Sequence, residues 1–293
     1  MPMKLGTFHF ELLYDILTDL HFIYDEEELA KYVLSKVSDA LNSEGGTLFH
    51  LETDGTLYPL ASYGVPVEKL RQLSFSVGKG VVGWVIQYMQ PVKVENPEQD
   101  PRFHGGTDKI TGFKTKSIIA APVVAKNKPL GVLEFLNRRD RPFAIPDLEL
   151  ISMLGREVGI ALEHIRMIKE IEKSRLFKEA VTNSLSAGLV VIDSQGNLLE
   201  VNPRAKEILQ LEQKAIQENI PVQKVLASFP SLVKVLEEIG NSSQPLKRLE
   251  VSVEINQKER RIGYSGVPVL DRDGKRLGSA FLFQDLTGLN LTG

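Results

Sequence analysis

The residues of this sequence that could do chemistry are few, and several lie in one polar stretch. The chain has five histidines, and no two of them have a spacing typical of metal ligands. His104 stands beside Phe103 in a segment that also carries Glu95, Asp100 and Asp108. A ligand or metal site is one interpretation of this segment, and a solvated loop is the other. We predict no metal site, because no two histidines have a ligand spacing. We also predict no catalytic residue, because no nucleophile is paired with a base.

The composition excludes further classes of site. The chain has no cysteine, which excludes disulfides, thiolate metal sites, cysteine-ligated clusters and thioether-linked bilins or flavins. Its 293 residues carry a net charge of -3, so no nucleic-acid or membrane surface is indicated. The sequence has no apolar run long enough to span a membrane, and we expect no signal peptide, because acidic residues come early in its N-terminal stretch. We therefore expect a cytoplasmic protein, and the absence of a recognisable catalytic motif leads us to expect no enzymatic activity of its own.

A long helix is predicted over residues 147–184, because this stretch contains no proline and its apolar residues recur at spacings of three and four. The apolar stripe consists of Ile151, Leu154, Val158, Ala161, Ile165 and Ile168. It could pair with another helix or a second copy of the chain, or pack on its own domain. Strands and helices alternate on both sides of the helix, which predicts two α+β domains, each a mainly antiparallel sheet with flanking helices.

The first half, residues 10–168, resembles a GAF domain. The resemblance rests on the segments GVVGWVIQYMQPVKVEN, DPRFHGGTDKITGFKTKSIIAAPVV, PLGVLEFLNR and FAIPDLELISMLGREVGIALEH. It implies a six-stranded antiparallel sheet that binds a small molecule or serves for dimerisation. The candidate ligand-binding residues are Trp84, Phe103, His104, Phe113, Thr115 and Ser117. We assign residues 1–168 to this domain and leave the ligand unidentified.

One subset of the GAF family binds cyclic nucleotides and carries an Asn-Lys…Phe-x-x-x-Asp-Glu motif. Here Asn137 and Arg138 precede Phe143 and Asp147, so arginine replaces the lysine and Leu148 replaces the glutamate. An Arg138–Asp147 pair would tie the last strand to the exit helix, which is a structural role. Cyclic-nucleotide binding is therefore an alternative to another ligand or to none.

The second half, residues 176–293, resembles a PAS domain. Its opening reads NSLSAGLVVIDSQGNLLEVNPRAKEIL and its closing hairpin IGYSGVPVLDRDGKRLGSAFLFQDLTG. The candidate pocket and exit residues are Phe229, Tyr264, Phe281, Phe283, Asp285 and Thr287. All histidines precede this half, which excludes a histidine-ligated haem as well as a flavin–cysteine adduct. An apolar ligand or an empty dimerisation domain are the interpretations left open.

The two resemblances together are typical of the sensory region of bacterial sensor histidine kinases. They imply a module that senses a small molecule, dimerises through the 147–184 helix, and relays its state to an effector kinase or response protein. The alternatives are a cyclic-nucleotide-binding regulator and a ligand-free dimerisation scaffold. No kinase motif follows the second domain in this sequence, so we expect either part of a longer kinase or a separate sensor partner.

Overall fold

The structure is a computed structural model that describes residues 7–211, 220–242 and 244–287. The chain separates into two compact units, Met1–Ile171 and Glu172–Gly293. Each unit consists of an antiparallel sheet with flanking helices, and one long helix runs through the boundary. The predicted α+β class with a connecting helix is therefore confirmed.

The first unit contains a six-stranded sheet in the order β3-β2-β1-β6-β5-β4. Its elements are α1 (Thr7–Leu20), α2 (Glu26–Leu41), β1 (Ser43–Leu51), β2 (Thr56–Tyr63), α3 (Val67–Arg71), β3 (Phe75–Ser76), α4 (Gly80–Tyr88), β4 (Val92–Val94), α5 (Gly106–Thr111), β5 (Ile118–Ala125), β6 (Lys128–Arg138) and α6 (Ile145–Ser184). A 3-10 helix, Pro97–Gln99, follows β4. Alternate residues of β6 pack on opposite faces of the sheet, because successive side chains of a strand point to opposite sides. Leu133 and Phe135 contact the core with α1, α2 and α6, whereas Val132 and Leu136 contact the core with α4.

Local sequence signals account for several of these boundaries. Asp25 accepts hydrogen bonds from the N–H groups of Glu27 and Glu28, so it caps α2. The β5–β6 turn places Lys126 and Asn127 at φ 48° and 64°, which suits the twist of a tight hairpin. The short helix α5 lies in a segment for which the sequence predicted only an irregular loop.

The apolar stripe of α6 packs inside the first unit. Ile151, Leu154 and Val158 are fully buried and belong to the core beside β5 and β6. A Cβ atom at Gly155 or Gly159 would lie within 2.5 Å of backbone oxygens of β5, so these glycines allow a close approach. The interpretation of this part of the stripe as a contact between two copies was therefore wrong. The sheet of the same domain covers it.

The second unit contains a five-stranded sheet in the order β8-β7-β11-β10-β9. Its elements are β7 (Gly188–Asp193), β8 (Leu198–Val201), α7 (Pro203–Leu209), α8 (Val222–Val225), α9 (Pro230–Asn241), β9 (Leu246–Ile255), β10 (Lys258–Leu270) and β11 (Arg276–Asp285). The sequence predicted helix over 214–240, of which residues 214–219 lie outside the described residues. The helix α9 runs to Asn241, and Ser242 is its C-cap.

Candidate functional site

A cavity of about 340 Å³ opens on the α4 face of the first sheet. We call it the central cavity. Its floor is formed by β1, β5 and β6, and its walls by α3, β3, the start of α4, and α5. Phe49, Phe75, Phe103 and Phe113 contribute aromatic surface to its lining. This volume is at the lower end of the roughly 300–1,000 Å³ common for small-molecule sites.

The first turn of α4 borders the central cavity and has unused hydrogen-bond donors. Gly80, Val81 and Val82 line it, and no acceptor contacts their N–H groups among the described residues. The N-cap residue, Lys79, makes no side-chain capping bond, and it also lines the cavity. Because the N-terminal N–H groups of a helix have no partner within it, this wall can accept an anionic or acceptor group.

The short helix α5 is attached to two neighbouring segments. Asp108 accepts hydrogen bonds from the backbone N–H and the hydroxyl of Thr115, each at 2.7 Å. Lys69 of α3 donates to the carbonyl of Thr111 at 3.1 Å. These contacts hold α5 over the cavity from both sides.

Glu134 is a functional candidate that sequence reasoning missed. It lies on β6 and lines the central cavity. Burial and, to a smaller degree, the charge of Asp108 raise the pKa of Glu134 to about 8. A signal was present in the sequence. Glu134 stands between Val132 and Leu136 at alternate positions of a strand that is apolar on both faces.

The residues predicted to form the first pocket divide into two groups. Phe103, His104, Phe113 and Thr115 line the central cavity. Trp84 and Ser117 are not among its lining residues. Instead, the guanidinium of Arg102 lies 4.5 Å from the centre of the Trp84 ring, and the N–H of Ser117 donates to Asn137.

The predicted motif residues Asn137, Arg138, Phe143 and Asp147 are not among the lining residues of the central cavity, and Arg138 and Asp147 form an ion-pair node. The Nη1 atom of Arg138 donates to the fully buried Asp147 at 2.8 Å. Burial acts to raise the pKa of Asp147, but hydrogen bonds from Arg141, from the N–H of Ala144 and from His9 bring it down to about 2. Phe143 is buried in the core beside α6. The node ties β6 to the beginning of α6.

Asn137 also holds the segment that leads into β5. Its Oδ1 atom accepts from the N–H groups of Lys116 and Ser117, and its Nδ2 atom donates to Glu44 and to the carbonyl of Lys114. Thr115, which lines the central cavity, lies within the segment held this way. Asn137 is therefore a positioning residue for that wall.

The aromatic residues predicted to line a pocket in the second unit pack against one another. The ring centres of Phe281 and Phe283 are 4.9 Å apart, and those of Tyr264 and Phe281 are 5.6 Å apart. Phe229 belongs to the same buried cluster. Tyr264 and Phe283 also border an open groove on the sheet. Burial raises the pKa of the Tyr264 hydroxyl above its ordinary value.

The predicted exit residues of the second unit close a small network at the end of β11. Arg260 donates to Asp285 at 2.8 Å, and the N–H of Thr287 donates to the same carboxylate at 2.9 Å. The hydroxyl of Thr287 accepts from the N–H of Arg261. The end of β11 is thereby attached to β10.

Within residues 7–211, 220–242 and 244–287, no group of three or more histidine, aspartate or glutamate residues could hold a metal ion. Within the same ranges, every helix is too short or too polar to cross a membrane.

Comparison with known families identifies both halves. Residues 24–163 match the family described as GAF domain, and residues 176–286 match the family described as PAS fold. The chain therefore carries a GAF domain followed by a PAS domain, which confirms both resemblances. The central cavity lies in the GAF domain and the aromatic cluster in the PAS domain.

Curated relatives include the "Probable 3',5'-cyclic phosphodiesterase pde-5" of Caenorhabditis elegans, 23% identical over 200 residues, which are 67% of this chain and 27% of that protein. Another is the "Dual 3',5'-cyclic-AMP and -GMP phosphodiesterase 11A" of Takifugu rubripes, 27% identical over 245 residues, which are 77% of this chain and 26% of that protein. The matches thus span about a quarter of these relatives. Among solved structures, the GAF domain of a phosphoenolpyruvate-protein phosphotransferase from Coxiella burnetii matches 55% of this chain and 96% of its own, with 18% identity and a TM-score of 0.51. That likeness supports the fold.

Proposed function

We propose that this chain is a signal-sensing regulatory module whose GAF domain binds a small molecule in the central cavity. The observation that carries the proposal is the cavity itself, which combines aromatic walls with the unused N–H donors of α4 and the carboxyl of Glu134. Such a mixture of apolar surface and few polar groups is typical of ligand sites. The role assigned to the chain is regulatory, and a cytoplasmic location is part of the proposal.

Native mass spectrometry of the full chain tests ligand binding. We expect a bound mass that denaturation removes. Thr107→Phe is expected to abolish it, because Thr107 lies on α5 and lines the cavity. Lys109→Phe is the matched control, since Lys109 is exposed on the same helix and is not among the lining residues. A bound mass that persists in Thr107→Phe would place the ligand elsewhere.

Cyclic nucleotides are the second candidate ligand. Of the relatives named above, one is named as a phosphodiesterase of cyclic AMP and cyclic GMP, and the other as a 3',5'-cyclic phosphodiesterase. The α4 donors would suit a phosphate, because the N-terminus of a helix stabilises negative charge. Titration of the full chain with cyclic AMP and cyclic GMP, followed by the fluorescence of Trp84, tests this candidate. The lack of any response at millimolar concentration would remove it.

The module is further proposed to form a homodimer through α6 and to relay its state to a kinase or another effector. Every residue from 167 to 181 is exposed, including Ile171, Phe177 and Val181. A helix with apolar residues exposed over this length lacks a covering surface, and a second copy of the same helix would supply one. The proposed domain limits are 1–168 and 176–293, joined by 147–184.

Light scattering of the full chain tests the dimer. We expect a dimer at tens of micromolar, and a monomer for Ile171→Glu. Lys173→Glu introduces the same side chain at an exposed polar position and is expected to remain dimeric. A monomeric wild-type chain would contradict the proposed relay.

A further inference from the structure

Among the residues that the structure describes, Glu134 is the only acidic side chain on the floor of the central cavity. On β6 it stands between Val132 and Leu136, and across the sheet it lies opposite Thr47 of β1 and Ala120 of β5. Glu134 itself keeps some accessible surface, while these four neighbours are buried. Because it lines the cavity, a ligand that fills the cavity must meet its carboxyl group.

Glu134 has no hydrogen-bond or ion-pair partner among the described residues. The other titratable groups that line the cavity are Lys79 at the start of α4, and His104 and Asp108 at the α5 wall. Neither Lys79 nor His104 forms an ion pair with it, and both carboxylate oxygens of Asp108 are occupied by Thr115. Because Glu134 lines the cavity without a partner, a ligand that bonds to it gains more than it would from an already satisfied group.

The protonation state defines what Glu134 offers. With a pKa of about 8, raised by burial and then by the charge of Asp108, the group is mainly a neutral carboxylic acid at pH 7. A neutral carboxylic acid presents an O–H donor beside a carbonyl acceptor. These two groups match a ligand edge that carries an acceptor beside a donor.

We propose that Glu134 acts as a neutral acid that selects planar heterocycles with an acceptor beside a donor on one edge, as in a lactam or an aminopyrimidine. Phe49, Phe75 and Phe113 line the same cavity and supply aromatic surface, which suits a planar ring. The inference rests on the proposed function, since it requires the central cavity to be the ligand site. It adds the class of ligand and the residue that recognises it.

Two substitutions of Glu134 distinguish recognition by a neutral acid from recognition by a carboxylate. Glu134→Gln keeps a donor beside an acceptor, so it is expected to bind such a ligand with nearly unchanged affinity. Glu134→Leu has neither group and is expected to lose binding. A ligand that binds a carboxylate through a positive charge would be lost in both variants.

The dependence on pH gives a second readout. Because the ligand binds the protonated form, wild-type affinity falls as pH rises through the pKa of Glu134. The expected loss between pH 7 and pH 9 is about tenfold. Glu134→Gln does not titrate and is expected to show no such loss.

The probes for the full chain are cyclic AMP, 2-pyridone and N-methyl-2-pyridone. Cyclic AMP and 2-pyridone carry the edge, and methylation blocks it in the third compound. We expect 2-pyridone to bind more tightly than its methylated counterpart, and only in chains that carry Glu or Gln at position 134. Equal binding of the two pyridones, or binding of cyclic AMP that does not change with pH, would overturn the proposal.

A ¹³C titration of the Glu134 carboxyl carbon reports protonation directly. The signal is assigned as the carboxyl signal that is missing from the spectrum of Glu134→Gln. A midpoint near pH 8 supports the proposal, and a midpoint near that of an ordinary glutamate overturns it. If native mass spectrometry finds a bound molecule without the predicted edge, the proposed function stands and this inference fails. If neither a bound molecule nor any probe is detected, both fail.

Discussion

At the centre of the GAF sheet, β6 directs Glu134 toward a cavity, whereas at the centre of the PAS sheet, β11 carries Phe281 and Phe283 in a packed cluster. Both strands lie in antiparallel sheets flanked by helices. The GAF domain therefore leaves interior volume and an unsatisfied polar group at the position where the PAS domain buries aromatic surface. Packing stabilises a domain, while an open polar interior costs stability and provides a place for a ligand.

The two domains agree in their use of one buried asparagine. Asn202 in the PAS domain accepts from the N–H groups of Leu189 and Ala205 and donates to the carbonyls of Thr182 and Ala187. In the GAF domain, Asn137 likewise makes four hydrogen bonds through its amide. The two domains thus differ in the packing of the interior beside the central strand. In both domains a buried amide forms hydrogen bonds that hold neighbouring segments together.

The largest expected effect concerns the packed interior. Phe281→Ala should lower the free energy of unfolding of the PAS domain by about 4 kcal/mol, because it removes a fully buried aromatic ring and leaves a cavity. Hydrogen exchange of β10 and β11 in the full chain measures the loss. Ile110→Ala, at an exposed position beside the GAF cavity, is the contrasting substitution and should change stability by less than about 0.5 kcal/mol. Similar losses at the two positions would show that the interiors do not differ as described.

The second prediction concerns the free energy of unfolding that the GAF domain loses because it holds the Glu134 carboxyl group in its interior. In the unfolded chain the carboxyl of Glu134 titrates near 4.5, and in the folded GAF domain near 8. The folded state therefore holds an extra proton between these values, and stability falls as pH rises from about 4.5 to about 8. At pH 7 Glu134→Gln should raise the free energy of unfolding by about 3 kcal/mol and remove that slope.

Trp84 is the only tryptophan of the chain and lies in the GAF domain, so its fluorescence during urea unfolding reports this domain alone. Glu259→Gln in the PAS domain is a control at an exposed position and should leave the Trp84 transition unchanged. If the urea unfolding of Glu134→Gln kept the wild-type pH dependence, the loss of stability attributed to Glu134 would be contradicted.

The third prediction concerns the buried amides. Asn137→Asp and Asn202→Asp each replace two N–H donors with an acceptor that faces carbonyl oxygens, so each should cost about 2 kcal/mol. Trp84 fluorescence measures the first variant, and hydrogen exchange of β7 measures the second. Asn127→Asp and Asn241→Asp are exposed controls, one in each domain. A larger loss at position 137 is expected, because the new carboxylate would also face Glu44.

The sequence allowed the two sheets and the connecting helix to be predicted, because alternating and helical periodicities depend on local residues. It did not reveal α5, since a six-residue helix bounded by Gly105 and Gly112 carries little periodic signal. The stripe of α6 was predicted as apolar, but periodicity does not tell which surface covers it. Burial of Ile151 and Leu154 by the same domain depends on the close approach of Gly155 and Gly159 to β5.

The candidate site was only partly accessible from the sequence. Four of the six residues considered for the GAF pocket line the central cavity, because they lie in the segment that folds over it. Trp84 could not be placed, since an apolar helix offers two buried faces and the sequence does not say which one meets a cavity. Glu134 was not predicted as a site residue, because it stands among apolar residues on its strand. Whether a carboxyl group has a partner depends on three-dimensional contacts, which the sequence does not give.

The smallest expected effect concerns the rim beside the cavity. Arg102 lies over Trp84 and donates to both carboxylate oxygens of Asp100, at 2.9 and 2.6 Å. Lysine keeps the charge but cannot form this planar pair of bonds, so Arg102→Lys should cost about 1 kcal/mol or less and change the Trp84 emission. Arg272→Lys, in an exposed PAS turn, should change neither quantity. If Arg102→Lys left stability intact but weakened ligand binding severalfold, the rim would contribute to recognition, and the contrast between the two domains would extend from the interior to the loop that borders it.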